Sequence, residues 1–329
     1  MAQFRNQDWI DSFNSLDSPN KTALREMLGI QLGNKYYVDP ANGASGNDGL
    51  TLTSAFANIK SAYDACVSGA GDSIYLISSG TTTAGCTSYL TEALDWTKWG
   101  ITVYGVCAPT RFSQRARIST AAADLAYLID VQGSNNTFYN MSFYNGGTTG
   151  AGAVKVSGDR NYFENVHFMG GMGMTTPTIN DYDLYINGGD ENTFVNCTIG
   201  SDTFDKTDIA GAELFVGGGA MRNRFYGCEF LSFRSAGTTA GMIKLIGSGD
   251  AITRTMLFDN CFFSMYRDGN VTAEASIVIG TTPNNGFIIF KDCQRHGFVD
   301  WAGVGTARIY SASVSGAEAG GITVACNPS

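Results

Sequence analysis

The chain has 329 residues, with 21 Lys and Arg against 30 Asp and Glu and a net charge of -9. That balance excludes the basic stripe a nucleic-acid binder needs, and no run of 18 apolar residues is present to form a membrane-spanning helix. Charged residues are only 16% and glycines number 41, so uncharged polar groups supply the surface, while 43% apolar residues suffice for a substantial core.

Residues 1–35 differ in character from the rest of the chain. The opening MAQFRNQDWIDS lacks the basic-then-apolar layout of a secretory signal. DWIDSFNSL places Trp9, Ile10, Phe13 and Leu16 at i, i+1, i+4 and i+7, an apolar stripe for one helix. Ser18-Pro19 starts a second helix through TALREMLGI, with proline in the first turn.

From residue 126 onward an internal repeat dominates. FYNMSF, FENVHF, FVNCTI, FYGCEF, FDNCFF and FKDCQR begin at Phe138, Phe163, Phe194, Phe225, Phe258 and Phe290, spacings of 25, 31, 31, 33 and 32 residues. A short apolar strand ending near glycine precedes each: LIDVQG, VKVSG, LYINGG, LFVGGG, IKLIGSG and IVIG. The period carries no helical pattern and fits one turn of a β-solenoid with three strands per coil. Two-residue alternation points Ile129 and Val131 inward and Asp130 outward, with Phe138 inward on a second strand. Asn140 then bends the chain, because asparagine tolerates positive φ. Stacked coils create inner columns: Met141, Val166, Cys197, Cys228, Cys261 and Cys293, and beside them Asn140, Asn165, Asn196, Gly227, Asn260 and Asp292. Stacked asparagines pass amide hydrogen bonds from coil to coil. Beyond residue 304 the small-residue stretch GTARIYSASVSGAEAGGITVAC breaks the repeat and is expected to supply closing strands or a subunit contact. The fold class is all-β.

These ladders resemble right-handed parallel β-helix proteins of the pectate-lyase-like superfamily. The stretch YYVDPANGASGNDGLTLTSAFANIKSAYDAC followed by GDSIYL, residues 36–77, matches the way such proteins open, and ITVYGVCAPTRFSQRARIS, residues 101–119, is similar to a coil of bacteriophage virion proteins sharing that opening. The resemblance implies a single-stranded right-handed parallel β-helix over residues 36–329. Opening coils and a capping helix from Ala55 to Cys66 occupy 36–125, regular coils 126–304 and a C-terminal cap 305–329. Since that helix already closes the solenoid, the segment 1–35 is read as an anchor that docks on a partner rather than as a second plug. The fold hosts lyases, hydrolases, tailspikes and adhesins alike, so it does not choose an activity.

Eight cysteines invite a disulfide reading. Four of them fall in one inward column, however, where free cysteine packs as a small apolar residue, which suits folding in a reducing cytoplasm. With no CxxC and two histidines, no metal site or cofactor is expected. GGGA and GGMGMTT do not precede a helix carrying Lys-Ser/Thr, so neither is a phosphate loop.

Active members of the superfamily often place their chemistry on the outer face of the first strand. Here one outward column runs Asp130, Lys155, Tyr185, Phe215, Lys244 and Val278, and its neighbour Leu128, Ala153, Asp183, Glu213, Met242 and Ser276. Asp183 and Glu213 would stack about 4.8 Å apart. Such a pair, beside Tyr185 and Phe215 as sugar platforms and Lys155 and Lys244 as polar contacts, could serve retaining glycoside hydrolysis; the alternative is an ordinary charged surface. The paired-Asp, Gly-His-Gly and Arg-Ile-Lys signature of polygalacturonases is absent, as is an Asp cluster with a partner Arg of the calcium-dependent lyase kind. His167 and His296 are read as outward, solvated residues. Asp202, Asp205 and Asp208 could ligate calcium, although a solvated acidic loop is the favoured reading. Variable loops after the third strand, such as 146–153, 170–181, 200–211 and 266–275, are the usual place for recognition.

These features lead to a bacteriophage virion structural protein, a capsid-decorating or appendage protein that binds and projects without catalysis. Its expected partners are other virion proteins through residues 1–35 and a host-surface glycan, and the resemblance implies a homotrimer. The runner-up is a tailspike, lyase or glycosidase acting on the first-strand face. A bacterial surface adhesin is the third reading.

Overall fold

The structure is a computed structural model. It describes residues 33–120, 124–147, 152–171, 181–205, 211–234, 241–247, 250–267, 276–283, 285–298, 300–304, 308–314 and 322–325. The anchor residues Trp9, Ile10, Phe13 and Leu16, together with Asp208 and Cys326, lie outside the described residues.

The chain winds as an all-β parallel solenoid with three strands per regular coil. An eight-stranded parallel sheet gathers the first strands, from Leu94–Trp96 through Ile129–Val131, Val154–Val156, Leu184–Asn187, Leu214–Gly217, Ile243–Leu245 and Ser276–Gly280 to Asp300–Ala302. The second and third strands merge into a 17-stranded sheet. They merge because the bend between them is a single residue. Asn140, Asn165, Asn196, Gly227, Asn260 and Asp292 all have φ between 50° and 57°, the left-handed region that asparagine, aspartate and glycine enter most readily. The Asn165 amide donates to Asn140 Oδ1 at 2.8 Å, and the Asn140 amide donates to the Gly105 and Cys107 carbonyls at 3.0 Å.

A second asparagine ladder, not anticipated from the sequence, lies at the corner entering the second strand. The backbone N–H groups of Asn136, Asn161 and Asn192 donate to the side-chain oxygens of Asn161, Asn192 and Asn223 at 2.8, 2.8 and 3.0 Å. All four residues are buried, so each side chain serves backbone groups that water cannot reach.

Inside, Phe138, Phe163, Phe194, Phe225, Phe258 and Phe290 form one continuous stack with centroid spacings of 5.0, 4.8, 4.5, 4.8 and 5.1 Å. Each stacked pair contributes about 0.5–1.5 kcal/mol beyond its area burial. The cysteine column runs beside it. The thiols of Cys197, Cys228 and Cys261 each point at a phenylalanine carbonyl of the preceding coil at 3.5 Å. The seven described cysteines are free. Burial raises the pKa of Cys228 and Cys261 and that of Cys66, the last to about 12, so these groups stay protonated.

Both described ends are covered. Helix α1, Ile59–Ala65, is capped by Asn58, whose Oδ1 accepts the Ser61 N–H at 3.0 Å. It buries Ile59, Ala62 and Tyr63 over the first coils. The Tyr63 ring sits 4.5 Å from Trp96, which abuts Phe138 and so joins the helix to the phenylalanine stack. Lys98 Nζ donates to the Tyr63, Asp64 and Cys66 carbonyls at 2.7–2.8 Å, satisfying the C-terminal end of the helix. At the far end, Ile309–Val314 extends the parallel sheet and then pairs antiparallel with Ile322–Ala325, which stops further parallel addition at the edge.

Candidate functional site

The first-strand face differs from its expected form. The outward column is Asp130, Lys155, Tyr185, Phe215 and Lys244, but its next member is Ile279. Val278 pairs with Ile243 and points into the core, because Ser276–Gly280 joins its sheet one residue out of the anticipated register. In the neighbouring column, Leu128, Ala153, Asp183, Glu213 and Met242 are all 0% exposed. These residues stand immediately before the strands that begin at Ile129, Val154, Leu184, Leu214 and Ile243, at the corner where the chain enters each first strand. Asp183 and Glu213 are adjacent, with the Asp183 N–H donating to the Glu213 carbonyl at 2.9 Å. Asp183 Oδ1 instead accepts the Gly170 N–H at 2.6 Å and holds the corner together. A glycan approaching the outer face does not meet either carboxylate.

The four proposed sugar contacts are also engaged. Lys155 pairs with Asp130 at 3.0 Å, and Lys244 lies 5.4 Å over the Phe215 ring. Phe215 is buried with Tyr182 and Ala212, and Tyr185 packs against that cluster. Of the four, Phe215 is covered, while Lys155, Tyr185 and Lys244 are half-buried.

The third-strand face carries the open site. Residues Tyr89, Ser119, Tyr144 and Met169 form one outward column, and Thr87, Arg117, Ser142, His167, Thr198 and Glu229 form the next. Near the helix-capped end these columns floor a groove of about 680 Å³, lined by Tyr89, Arg117, Tyr144, Phe204, Asp124 and a set of Ser and Thr hydroxyls. That volume lies within the range of small-ligand sites. Phe204 meets the Tyr144 ring edge-on at 6.0 Å, and the Arg117 guanidinium lies 5.9 Å from the centre of the same ring. Arg117 Nε donates to Ser142 Oγ at 3.4 Å.

One wall is a clasp, residues 107–116, that leaves the second strand and crosses successive coils. Arg111 reaches the Gly227 carbonyl and pairs with Glu229 at 2.8 Å. Gln114 Nε2 donates to the Asn165 carbonyl at 2.8 Å. His167, expected in solvent, is buried beneath the clasp. Its Nδ1 accepts the Ser113 N–H at 2.9 Å and its Nε2 donates to the Gly200 carbonyl at 2.8 Å, which requires the neutral ring. Burial pushes its pKa down to about 4. His296 is exposed, with Nδ1 3.2 Å from Ser264 Oγ. Asp202 and Asp205 are exposed at the end of Thr198–Asp205, and no group of three or more potential metal ligands occurs among the described residues.

No family model matches the chain, and no curated protein does either. Solved structures do match. Pectate lyase Pel9A aligns with a TM-score of 0.53 at 18% identity, covering 86% of this chain and 76% of its own. A pectin methylesterase from Aspergillus niger aligns at 0.51 and 17% identity, over 87% and 92%. A rhamnogalacturonan lyase aligns at 0.51 and 16% identity, over 80% and 68%. The chain has the right-handed parallel β-helix, pectate-lyase-like fold.

In this β-helix the open groove and the expected catalytic face are different surfaces. Strand alternation marks Arg117 and Tyr144 as outward, so part of the groove was open to sequence reasoning. Phe204 was not, since it arrives through an irregularity in the pairing between Ser201 and Asp205. The clasp falls within the stretch expected to be a coil, but nothing in its sequence announces contacts to Asn165, His167 and Gly227.

Proposed function

We propose that this β-helix is a virion appendage or capsid-decorating protein that binds a saccharide in its third-strand groove and does not turn it over. The observation that carries the binding role is the groove itself. Tyr89, Tyr144 and Phe204 offer aromatic surface for the apolar faces of sugar rings, between hydroxyls and a cation that can meet sugar hydroxyls. The absence of turnover is supported by the burial of Asp183 and Glu213, which removes the acid–base pair from any substrate path. The virion setting rests on the resemblance of residues 36–77 and 101–119 and on a cysteine column suited to a reducing cytoplasm. Docking on other virion proteins through residues 1–35 and a homotrimeric state belong to the same proposal.

The test combines three measurements on the full chain. Glycan binding should be detectable and lost in Tyr144→Ala. Reducing ends or unsaturated sugars should not accumulate from any bound glycan. Light scattering should give a trimer, and a chain starting at Lys35 should lose its docking partner. Release of sugar ends that disappears in Glu213→Gln would overturn the non-catalytic reading.

A further inference from the structure

We propose that the outer face of the second strands carries an oxidative cross-linking site, where neighbouring tyrosines of one column couple to dityrosine and staple the opening coils. Lys35–Val38, Ser73–Ile77, Thr102–Val106 and Thr137–Tyr144 pair in register, setting Tyr37 opposite Tyr75, Tyr75 opposite Tyr104 and Tyr104 opposite Tyr139. The rings stack with centroids 5.5, 5.2 and 5.2 Å apart and interplanar angles of 27°, 22° and 8°. All four are half-buried, so the column keeps one side open to a small oxidant. The flanking outward column holds Ser73, Thr102 and Thr137, short side chains that leave the rings room to tilt towards one another. Tyr162 ends the stack, since it is turned 58° from Tyr139 and its phenol donates to Glu164 at 2.8 Å.

The column covers coils that the inner ladders do not reach. Phe138 begins the phenylalanine stack, and the same position in the preceding coils holds Val103, Ile74 and Tyr36. The buried corner ladder likewise begins at Asn136, which accepts the Ile101 N–H at 3.0 Å. Cys66, Cys86 and Cys107 of these coils are free, so no disulfide closes them. The coupling consumes two equivalents of a one-electron oxidant. Each of two neighbouring phenols loses an electron to it and a proton to water. The two tyrosyl radicals join through ring carbons ortho to oxygen, and the hydrogens on those carbons shift to the oxygens, restoring both phenols. Each link closes a loop of one coil and narrows the unfolded ensemble as a disulfide does.

The test exposes the dilute full chain to persulfate with light-excited ruthenium tris-bipyridyl, a one-electron oxidant, followed by digestion and peptide mass mapping. The expected products are intrachain peptide pairs joining Tyr75 to Tyr104 or Tyr104 to Tyr139, two hydrogens lighter than their parts, with dityrosine fluorescence. The linked chain should melt about 5 °C higher than the untreated one. Combining Tyr75→Phe with Tyr104→Phe keeps the rings but leaves no two stacked tyrosines adjacent, and should abolish these links. Tyr266→Phe, which alters an exposed tyrosine outside the column, should keep them. Thermal unfolding before oxidation is the folding control, and the map of the wild-type chain decides the site whether or not the double variant folds. Links that map to other tyrosines, that form only between copies or that persist in the double variant would overturn the site. Links formed without a rise in melting temperature would overturn the staple.

Discussion

His167 Nδ1 accepts the backbone N–H of Ser113 at 2.9 Å, pinning the clasp to the third-strand face two coils further along. The bond exists only while the ring is neutral. With its pKa near 4 in the folded state, against about 6.5 unfolded, the imidazole binds protons more readily in the unfolded chain. Its contribution is thus complete above pH 6.5 and declines as the pH falls towards 4. Chemical denaturation at pH 7.0 and 4.5 should show the wild type losing on the order of 2–3 kcal/mol more than His167→Gln. Equal losses would show that the clasp does not depend on this ring.

The buried asparagine ladder predicts a large cost for a small change. Asn192→Ala leaves the Asn161 N–H without its acceptor and removes the Asn192 amide donated to the Gly158 carbonyl. Orphaning such groups costs about 1–3 kcal/mol each. A loss of about 3 kcal/mol is expected in urea unfolding. Asn196→Ala should also destabilise the chain, though less, because Asn196 is exposed and its cost is mainly that of holding φ at 50° without an asparagine.

Gly227 occupies the same left-handed corner at φ 57°. Gly227→Asn should be tolerated, with a melting temperature at or near that of the wild type. Gly227→Val should be destabilised by about 1–2 kcal/mol, since a branched side chain resists that conformation. Equal melting temperatures for the two variants would contradict the corner's steric logic.

The inward thiols give a chemical test. Cys197, Cys228 and Cys261 are buried, and burial keeps Cys228 and Cys261 protonated, so a thiol reagent at pH 8 should leave all three unmodified in the native chain and label them rapidly in denaturant. Fast native labelling, read by peptide mass, would show that the column opens.

Glu213→Gln separates a structural carboxylate from a catalytic one. The substitution is expected to lower thermal stability while leaving glycan binding within about twofold, because Glu213 lies beneath the first-strand corner and away from the groove. A change in binding without a change in stability would place the residue in the site.

The β-helix itself was legible from residue spacing. Phenylalanine every 25–33 residues, with asparagine, glycine or aspartate two positions later, states both the coil period and the corner, because a strand alternates with period two and few residues enter positive φ. The inner phenylalanine and cysteine columns follow from those facts, whereas the asparagine column, expected inside, lies at the corner with Asn196 and Asn260 exposed. The ladder of Asn136, Asn161, Asn192 and Asn223 was equally present, two residues before the first four of those phenylalanines, but a buried asparagine looks like a turn residue until the backbone groups it satisfies are seen. Alternation assigns a side chain to one side of a strand without saying whether water reaches that side. Alternation assigns Asp183 and Glu213 to the outer face, yet both are fully buried where the chain enters the first strand. Arg117, Tyr144 and Phe204 come from separate coils and gain meaning only where a clasp and an irregular strand end leave a groove between them. Local periodicity therefore determined the scaffold, while exposure was decided by loops that no period governs and whose contacts run between coils.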